Sequence, residues 1–211
     1  MPTDTLKPGT KPPDEINVVV EIPKGSSIKY EINPKSGEIS VDRTLFPAIF
    51  YPYNYGFIPQ TKEEGGADPI DVFILGNSSL LPKSVISCRP VGVLLTEDQG
   101  GVDPKIIVVP LTKIDPTFSA ILDINDIQEN VRTHLTHFIE HHKDLEEGKY
   151  VKILGWEGKD AAKVMISKAI IIMMFRSLPY LALVIVGLQT TYCTVFEDQR
   201  RIRVILGFSV K

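Results

Sequence analysis

Between Ile16 and Val109 the chain is cut into short β-prone runs, each closed by proline or glycine. Ile16 to Ile22 carries Val18, Val19 and Val20 and stops at Pro23, with a turn over Lys24 to Ser27. Ile28 to Ile32 alternates strictly, Ile28, Tyr30 and Ile32 on one side and Lys29 and Glu31 on the other. Asn33-Pro34-Lys35-Ser36-Gly37 reads as a turn, and Glu38 to Asp42 as a short strand that delivers Arg43. Val72 to Leu75, Val85 to Leu95 and Ile106 to Val109 complete the series. Pro90 and Gly92 inside the longest run predict an edge, bulge or bend there. These spacings predict a meander of short antiparallel strands.

From Asp126 the period changes. Ile127, Val131, Leu135, Phe138 and Ile139 fall on one helical face, and Asp126 with Glu129 reads as a capping box. The helix is expected to end near Lys143, followed by a strand over Tyr150 to Leu154 and a last helix starting within Gly158 to Ser167. The fold class is therefore mainly β (α+β). His137 and His141 have the i,i+4 spacing of a zinc pair, but no H-E-x-x-H pattern accompanies them, so a surface or subunit contact is the reading kept.

A chain of 211 residues suffices for one domain with an appendage. Acidic residues (26) exceed basic ones (23), which argues against a general nucleic-acid footprint. Cys88 and Cys193 imply neither a disulfide framework nor a zinc site. Residues 1–15, with Pro2, Pro8, Pro12 and Pro13, read as a flexible arm without the apolar stretch of a signal peptide, so a cytoplasmic protein is expected.

Chemistry concentrates in two acidic turns. Asp68 and Asp71 flank Pro69, which stiffens the backbone and keeps Asp68 extended, and the strand Val72 to Leu75 follows at once. Asp98 and Asp103 flank Gly100-Gly101 and lead into the run from Ile106. Carboxylates at strand ends, away from thiols and paired histidines, suit a hard cation such as Mg²⁺. Either turn alone is also ordinary Asp-Gly-Pro turn chemistry. The aromatic stretch Phe50 to Phe57 is equally a packed corner or a groove whose tyrosine hydroxyls face a ligand.

Taken in order, Glu21, Lys29-Tyr-Glu31, Val41-Asp-Arg43, Tyr51-Pro-x-Asn-Tyr55-Gly, Asp68-Pro-x-Asp71, Asp98, Asp103-x-Lys105 and Lys143-Asp-Leu-Glu closely resemble soluble family I inorganic pyrophosphatase of bacterial type, in register from about Ile16 to about Ser167. The resemblance implies a small closed OB-like β-barrel with flanking helices, and hydrolysis of pyrophosphate to two phosphates with several Mg²⁺ ions, for which Mn²⁺ or Zn²⁺ are possible substitutes. It implies that Asp71 bridges two metals, that Asp68 is the general base, that Asp98 and Asp103 hold further metals, and that Glu21 lies near a metal carried in with substrate. Lys29, Arg43 and Lys143 match cations on the phosphate oxygens, and Tyr55 a hydroxyl of the metal shell. Lys105 and Glu31 match supporting or substrate-side charges, and Tyr51 lines the site. A hexamer is the family's usual assembly, with His137 and His141 near the trimer contacts.

Two positions depart from the pattern. The family's Asp-x-Asp-Pro-x-Asp loop has Gly66 at its first position, so one carboxylate is missing and weaker binding at one metal is expected, with Glu63 or Glu64 as possible replacements from the preceding turn. His142 stands where the family has a phosphate-contacting tyrosine. Both departures motivate an alternative, a catalytically weak or inactive pyrophosphate- or metal-binding paralogue. An OB-type nucleic-acid binder is disfavoured, because the interior carboxylates repel a phosphate chain. Residues 16–168 form the expected catalytic domain, and 169–211 an atypical hydrophobic extension. Ser177 to Phe196 carries no charge and approaches the length of a membrane span, but Pro179 and the polar, β-leaning Gln189 to Thr194 make a span the disfavoured reading.

Overall fold

A computed structural model describes residues 2–63 and 68–176 and the paired strands Thr191–Asp198 and Arg201–Phe208. Nine strands precede that final pair: β1 (Ile16–Ile22), β2 (Ile28–Ile32), β3 (Ile39–Thr44), β4 (Asn54–Phe57), β5 (Asp71–Ile74), β6 (Val85–Asp98), β7 (Gly101–Val102), β8 (Lys105–Pro110) and β9 (Val151–Gly158). Helix α1 spans Glu129–His141 and α2 spans Lys159–Arg176. The final pair, β10 and β11, is antiparallel from Thr191↔Phe208 to Asp198↔Arg201.

Strand pairing runs β1-β4-β5-β8-β6 and then returns to β1, so five strands close a ring without a free edge. This is the small closed OB-like barrel. All its pairings are antiparallel except β5 with β8, so the barrel is not the plain meander that run spacing predicts. A parallel pair needs a crossover, and the β6–β7 hairpin between the two strands supplies it. The register of β6 shifts between Pro90 and Gly92, the expected bulge.

The central strands are buried on both faces, which is why they read as unbroken apolar runs. Val72, Ile74, Ile106 and Val108 pack with Ala162, Ile166 and Ala169 of α2. Phe73, Leu75, Ile107 and Val109 pack instead with Leu135, Phe138 and Ile139 of α1. Each of the larger side chains contributes roughly 1.5–3 kcal/mol by its burial. β4 approaches β1 so closely that a Cβ at Gly56 would lie 1.9 Å from the Val19 carbonyl oxygen, so only glycine fits there.

One local expectation is revised. Asp126 does not start α1. It ends a 3₁₀ turn (Ile124–Asp126), where its carboxylate accepts from the Leu122 and Asp123 amides at 2.8 and 2.9 Å. Asp123 in turn accepts from the Lys159 amide, so it caps α2 across the sequence. Residues 2–15, expected as a flexible arm, lie along the barrel: the Thr3 and Asp4 amides donate to the Pro34 carbonyl, Asn17 donates to Pro8 and Lys7, and Asp14 pairs with Lys163. Leu6 packs on Val19, Ile32 and Phe57. The helix α2 also runs unbroken through 168 and 169, where the sequence places a boundary. Its buried positions, Ala162, Ile166, Ala169 and Ile172, continue one face across that point. Most of the candidate span over Ser177 to Phe196 lies outside the described residues. Among those described, no helix is long and apolar enough to cross a membrane.

Candidate active site

Strand alternation decides which side chains meet. Tyr55, Phe73 and Ile107 stand side by side in the register of β4, β5 and β8 and share the face that packs on α1. Two residues before Phe73 and two before Ile107, the same face carries Asp71 and Lys105. These residues open into a cleft of about 560 Å³. Aromatic rings form its floor, with Tyr51 4.7 Å from Phe138 and Tyr55 4.9 Å from Phe73 between ring centroids. Both readings of the aromatic stretch therefore hold at once: the rings are packed, and Tyr51 and Tyr55 also line the cleft.

Four cations meet carboxylates around this cleft. Lys105 is buried, 6% exposed, and its ammonium bonds both Asp71 (2.5 Å) and Asp103. Burial opposes its charge, but the two carboxylates outweigh that and hold its pKa well above the usual lysine value. Lys143 donates to Asp98 at 2.8 Å, and the Gly100 amide donates to the same carboxylate at 2.7 Å. Burial opposes the charge on Asp98, yet these two donors keep its pKa low. Lys29 pairs with Glu31 and Asp42, and Arg43 with Asp42 and with Glu146 at 3.0 Å.

Every residue expected in the site lines the cleft except Glu21 and Glu31. Glu31 is exposed and reaches the cleft only through its 2.8 Å bond with Lys29. Glu21 is not among the lining residues; its carboxylate accepts from the Ile32 amide at 2.9 Å. Burial, with the charge of Asp71 adding to it, raises its pKa to about 8, so it is largely protonated at neutral pH. Sequence reasoning omitted Thr96, whose hydroxyl donates to the Asp103 carbonyl, and Glu146, which holds Arg43. Glu146 is the last residue of the quoted Lys143-Asp-Leu-Glu motif, which was the available signal. Glu63 also enters the cleft, and an oxygen from each of Glu63, Asp71 and Asp103 lies within 4.8 Å of the others. Gly66 and Glu64 lie outside the described residues.

An all-oxygen donor set of this kind fits a hard divalent cation. Among the described residues one oxygen of Glu63 has no hydrogen-bond partner, and burial, with the charge of Asp71 adding to it, raises the pKa of this carboxyl to about 8.

The profile of the family described as Inorganic pyrophosphatase matches residues 18–173. The chain is 53% identical to the inorganic pyrophosphatase of Saccharolobus solfataricus over 78% of its own length and 95% of that protein. The crystal structure of inorganic pyrophosphatase from Thermus thermophilus superposes with a TM-score of 0.79 at 41% identity, covering 82% of this chain and 99% of that one. The enzyme of Helicobacter pylori superposes with a TM-score of 0.75 at 44% identity, covering 76% of this chain and 94% of that one. The chain belongs to the inorganic pyrophosphatase family. Its relatives include archaeal as well as bacterial proteins, and the family's enzymes are hydrolases of the phosphoanhydride bond. No observation favours the alternative of an inactive paralogue.

His142 differs from the pyrophosphatase expectation in its protonation. Its ring stacks on Phe138 at 5.3 Å, and Nδ1 lies 2.9 Å from the Ile139 carbonyl. A carbonyl only accepts, so Nδ1 carries the proton. In the neutral ring Nε2 is then an acceptor, not a phosphate donor. Burial, with Lys143, Arg43 and Lys105 adding to it, lowers the pKa to about 4, so the ring is neutral throughout the physiological range. His142→Tyr is therefore expected to lower the KM for pyrophosphate roughly tenfold, the scale of one hydrogen bond to a charged group. Initial rates at several pH values from 6 upward check this, and an unchanged KM would remove His142 from substrate contact.

Proposed function

We propose that this chain hydrolyses inorganic pyrophosphate to two phosphates, using water and several divalent cations, Mg²⁺ by preference and Mn²⁺ or Zn²⁺ as substitutes. The observation that carries the reading is one cleft in which Lys29, Arg43, Lys105 and Lys143 each sit against a carboxylate. Cations bound there would neutralise phosphate charge and bring the pKa of a bound water toward neutrality. Asp71, Asp98 and Asp103 would hold them, with Glu21 near the one that arrives with substrate.

Asp68 accepts a proton from the water whose oxygen attacks one phosphorus. The bond from that phosphorus to the bridging oxygen breaks, and the second phosphate leaves with the bond's electron pair. Lys29, Arg43 and Lys143 exchange their carboxylate partners for phosphate oxygens and stabilise the charge that develops on the leaving group. Lys105 and His142 border the substrate, Tyr55 adds its hydroxyl to the metal shell, Tyr51 packs beneath it, and Glu31 orients Lys29. The catalytic unit is residues 16–168, preceded by 1–15 and followed by the extension 169–211. The protein works in the cytoplasm as a hexamer, with neither nucleic acid nor membrane as partner, and His137 and His141 lie near its trimer contacts.

Phosphate release from pyrophosphate, titrated with Mg²⁺, tests the reaction. Folded protein that releases no phosphate at any Mg²⁺ concentration would overturn it. A particle mass in solution other than six times the 23.5 kDa chain would overturn the hexamer.

A further inference from the structure

We infer that Glu146 is a positioning residue for the reaction in the cleft: its carboxylate holds Nε of Arg43 and leaves the far end of the guanidinium to meet phosphate. The inference rests on the proposed pyrophosphatase reading, in which Arg43 binds phosphate oxygens. Glu146 is not among the residues that line the cleft, so it acts through the arginine.

Arg43 reaches the cleft from β3, which pairs with β2 and with no strand of the barrel. Barrel register therefore does not fix its side chain, which has much rotamer freedom to lose. Two carboxylates restrain it. Asp42, the preceding residue, accepts from Nη1 at 2.7 Å, and Glu146 accepts from Nε at 3.0 Å across 103 residues of sequence. The two partners are not equivalent. Asp42 also pairs with Lys29 at 3.0 Å and its side chain keeps 29% of its exposure, whereas that of Glu146 keeps 11%.

Glu146 is seated in a run of tight turns after α1. Its amide donates to the Lys143 carbonyl at 2.9 Å, and its own carbonyl accepts from the Lys149 amide at 3.1 Å. The same turn carries Lys143, which lines the cleft and donates to Asp98 at 2.8 Å. One short turn thus supplies one cation of the cleft directly and sets the angle of another.

A guanidinium offers phosphate two parallel donors along one edge, either Nε with a terminal nitrogen or the two terminal nitrogens. With Nε on Glu146, the terminal edge is the one left. When Asp42 gives way, Nη1 and Nη2 present that edge to the leaving phosphate, and the bond at Nε keeps it aligned. A carboxylate this close also repels the negative phosphate, so it weakens binding while it improves alignment. Its removal is expected to slow the chemical step without weakening binding.

Steady-state phosphate release from pyrophosphate at saturating Mg²⁺ tests this on full-length chains. Glu146→Ala is expected to lower kcat about tenfold, with KM at or below the wild-type value. Glu146→Gln keeps the size and an acceptor oxygen for Nε but not the charge, so it is expected to retain most of kcat with a lowered KM. In the Arg43→Met chain, adding Glu146→Ala is expected to cost no further turnover, because its effect passes through the arginine. Losses that multiply in the double variant overturn the inference, as does a raised KM in Glu146→Gln. A loss of less than about threefold in Glu146→Ala beside a large loss in Arg43→Met overturns it too, and leaves the pyrophosphatase reading standing. Wild-type turnover in Arg43→Met overturns instead the placement of Arg43 on phosphate, the part of that reading on which the inference rests.

Discussion

Asp68→Asn is expected to lower kcat for pyrophosphate hydrolysis about 10²–10⁴-fold, the usual contribution of a positioned general base, while Mn²⁺ binding and KM stay close to wild type. Asparagine has the shape of aspartate and can still accept a hydrogen bond from water, but it cannot take the proton. Asp68 lines the cleft three residues before Asp71, with Pro69 between them to limit its backbone freedom. Like Glu63, it makes no ion pair with the cleft's lysines or arginine, unlike Asp71, Asp98 and Asp103, so no bonded cation opposes its taking a proton. Stopped assays of phosphate release beside metal titration separate the two roles. A loss of metal binding together with turnover would make Asp68 a ligand, and a decrease smaller than tenfold would remove it as the base.

Lys105→Met is expected to destabilise the metal-free chain by about 3 kcal/mol, and saturating Mg²⁺ is expected to recover most of that. The ammonium is buried between Asp71 and Asp103, whose side chains retain 28% of their exposure. Removing it leaves two carboxylates close together without their counter-charge, the situation in which breaking an ion pair costs most. Their partial exposure keeps the expected cost at the low end of that range. Divalent cations held by the same oxygens, as proposed, would stabilise only the folded chain. Urea denaturation in chelator and in Mg²⁺ makes the comparison. An equal loss under both conditions would show that Lys105 acts through packing alone.

Around the cleft Lys29, Arg43, Lys105 and Lys143 face the carboxylates of Glu31, Asp42, Asp71, Asp98, Asp103 and Glu146. Lys143 with Asp98 and Arg43 with Glu146 join elements distant in sequence and tie the segment after α1 to β6 and β3.

Much of this was legible in the residues. Pro23, Gly37, Pro69 and Gly100-Gly101 punctuate the chain because turns need their backbone geometry, and the strands appear between them. Leu135, Phe138 and Ile139 of the expected face are buried as the helical period requires and Val131 packs against them part-buried, whereas Ile127 is buried from the turn before α1. The ordered charged motifs identified the family and nearly all of the cleft's charged residues, because phosphate and metal chemistry tolerate few side-chain types.

Other features required the chain to be folded. Ring closure through β1–β6 and the parallel β5–β8 pair depend on pairings between residues far apart, which run-by-run periodicity does not encode. Asp126 fits the capping pattern of α1 as well as that of the turn before it, and only packing selected the turn. His142 reads as a phosphate donor by residue type, yet the Ile139 carbonyl takes its only proton. Gly66 reads as a lost ligand, but the hydrogen bonds of Lys62 and Glu63 to α2 and to Asp68 carry another carboxylate into the cleft. The sequence by itself determined the strands, the family and the kinds of charge in the site, because local backbone preference and side-chain chemistry are properties of single residues and short spans. Tertiary structure alone decided which charges face one another, because pairing, burial and protonation depend on neighbours that the linear order does not name.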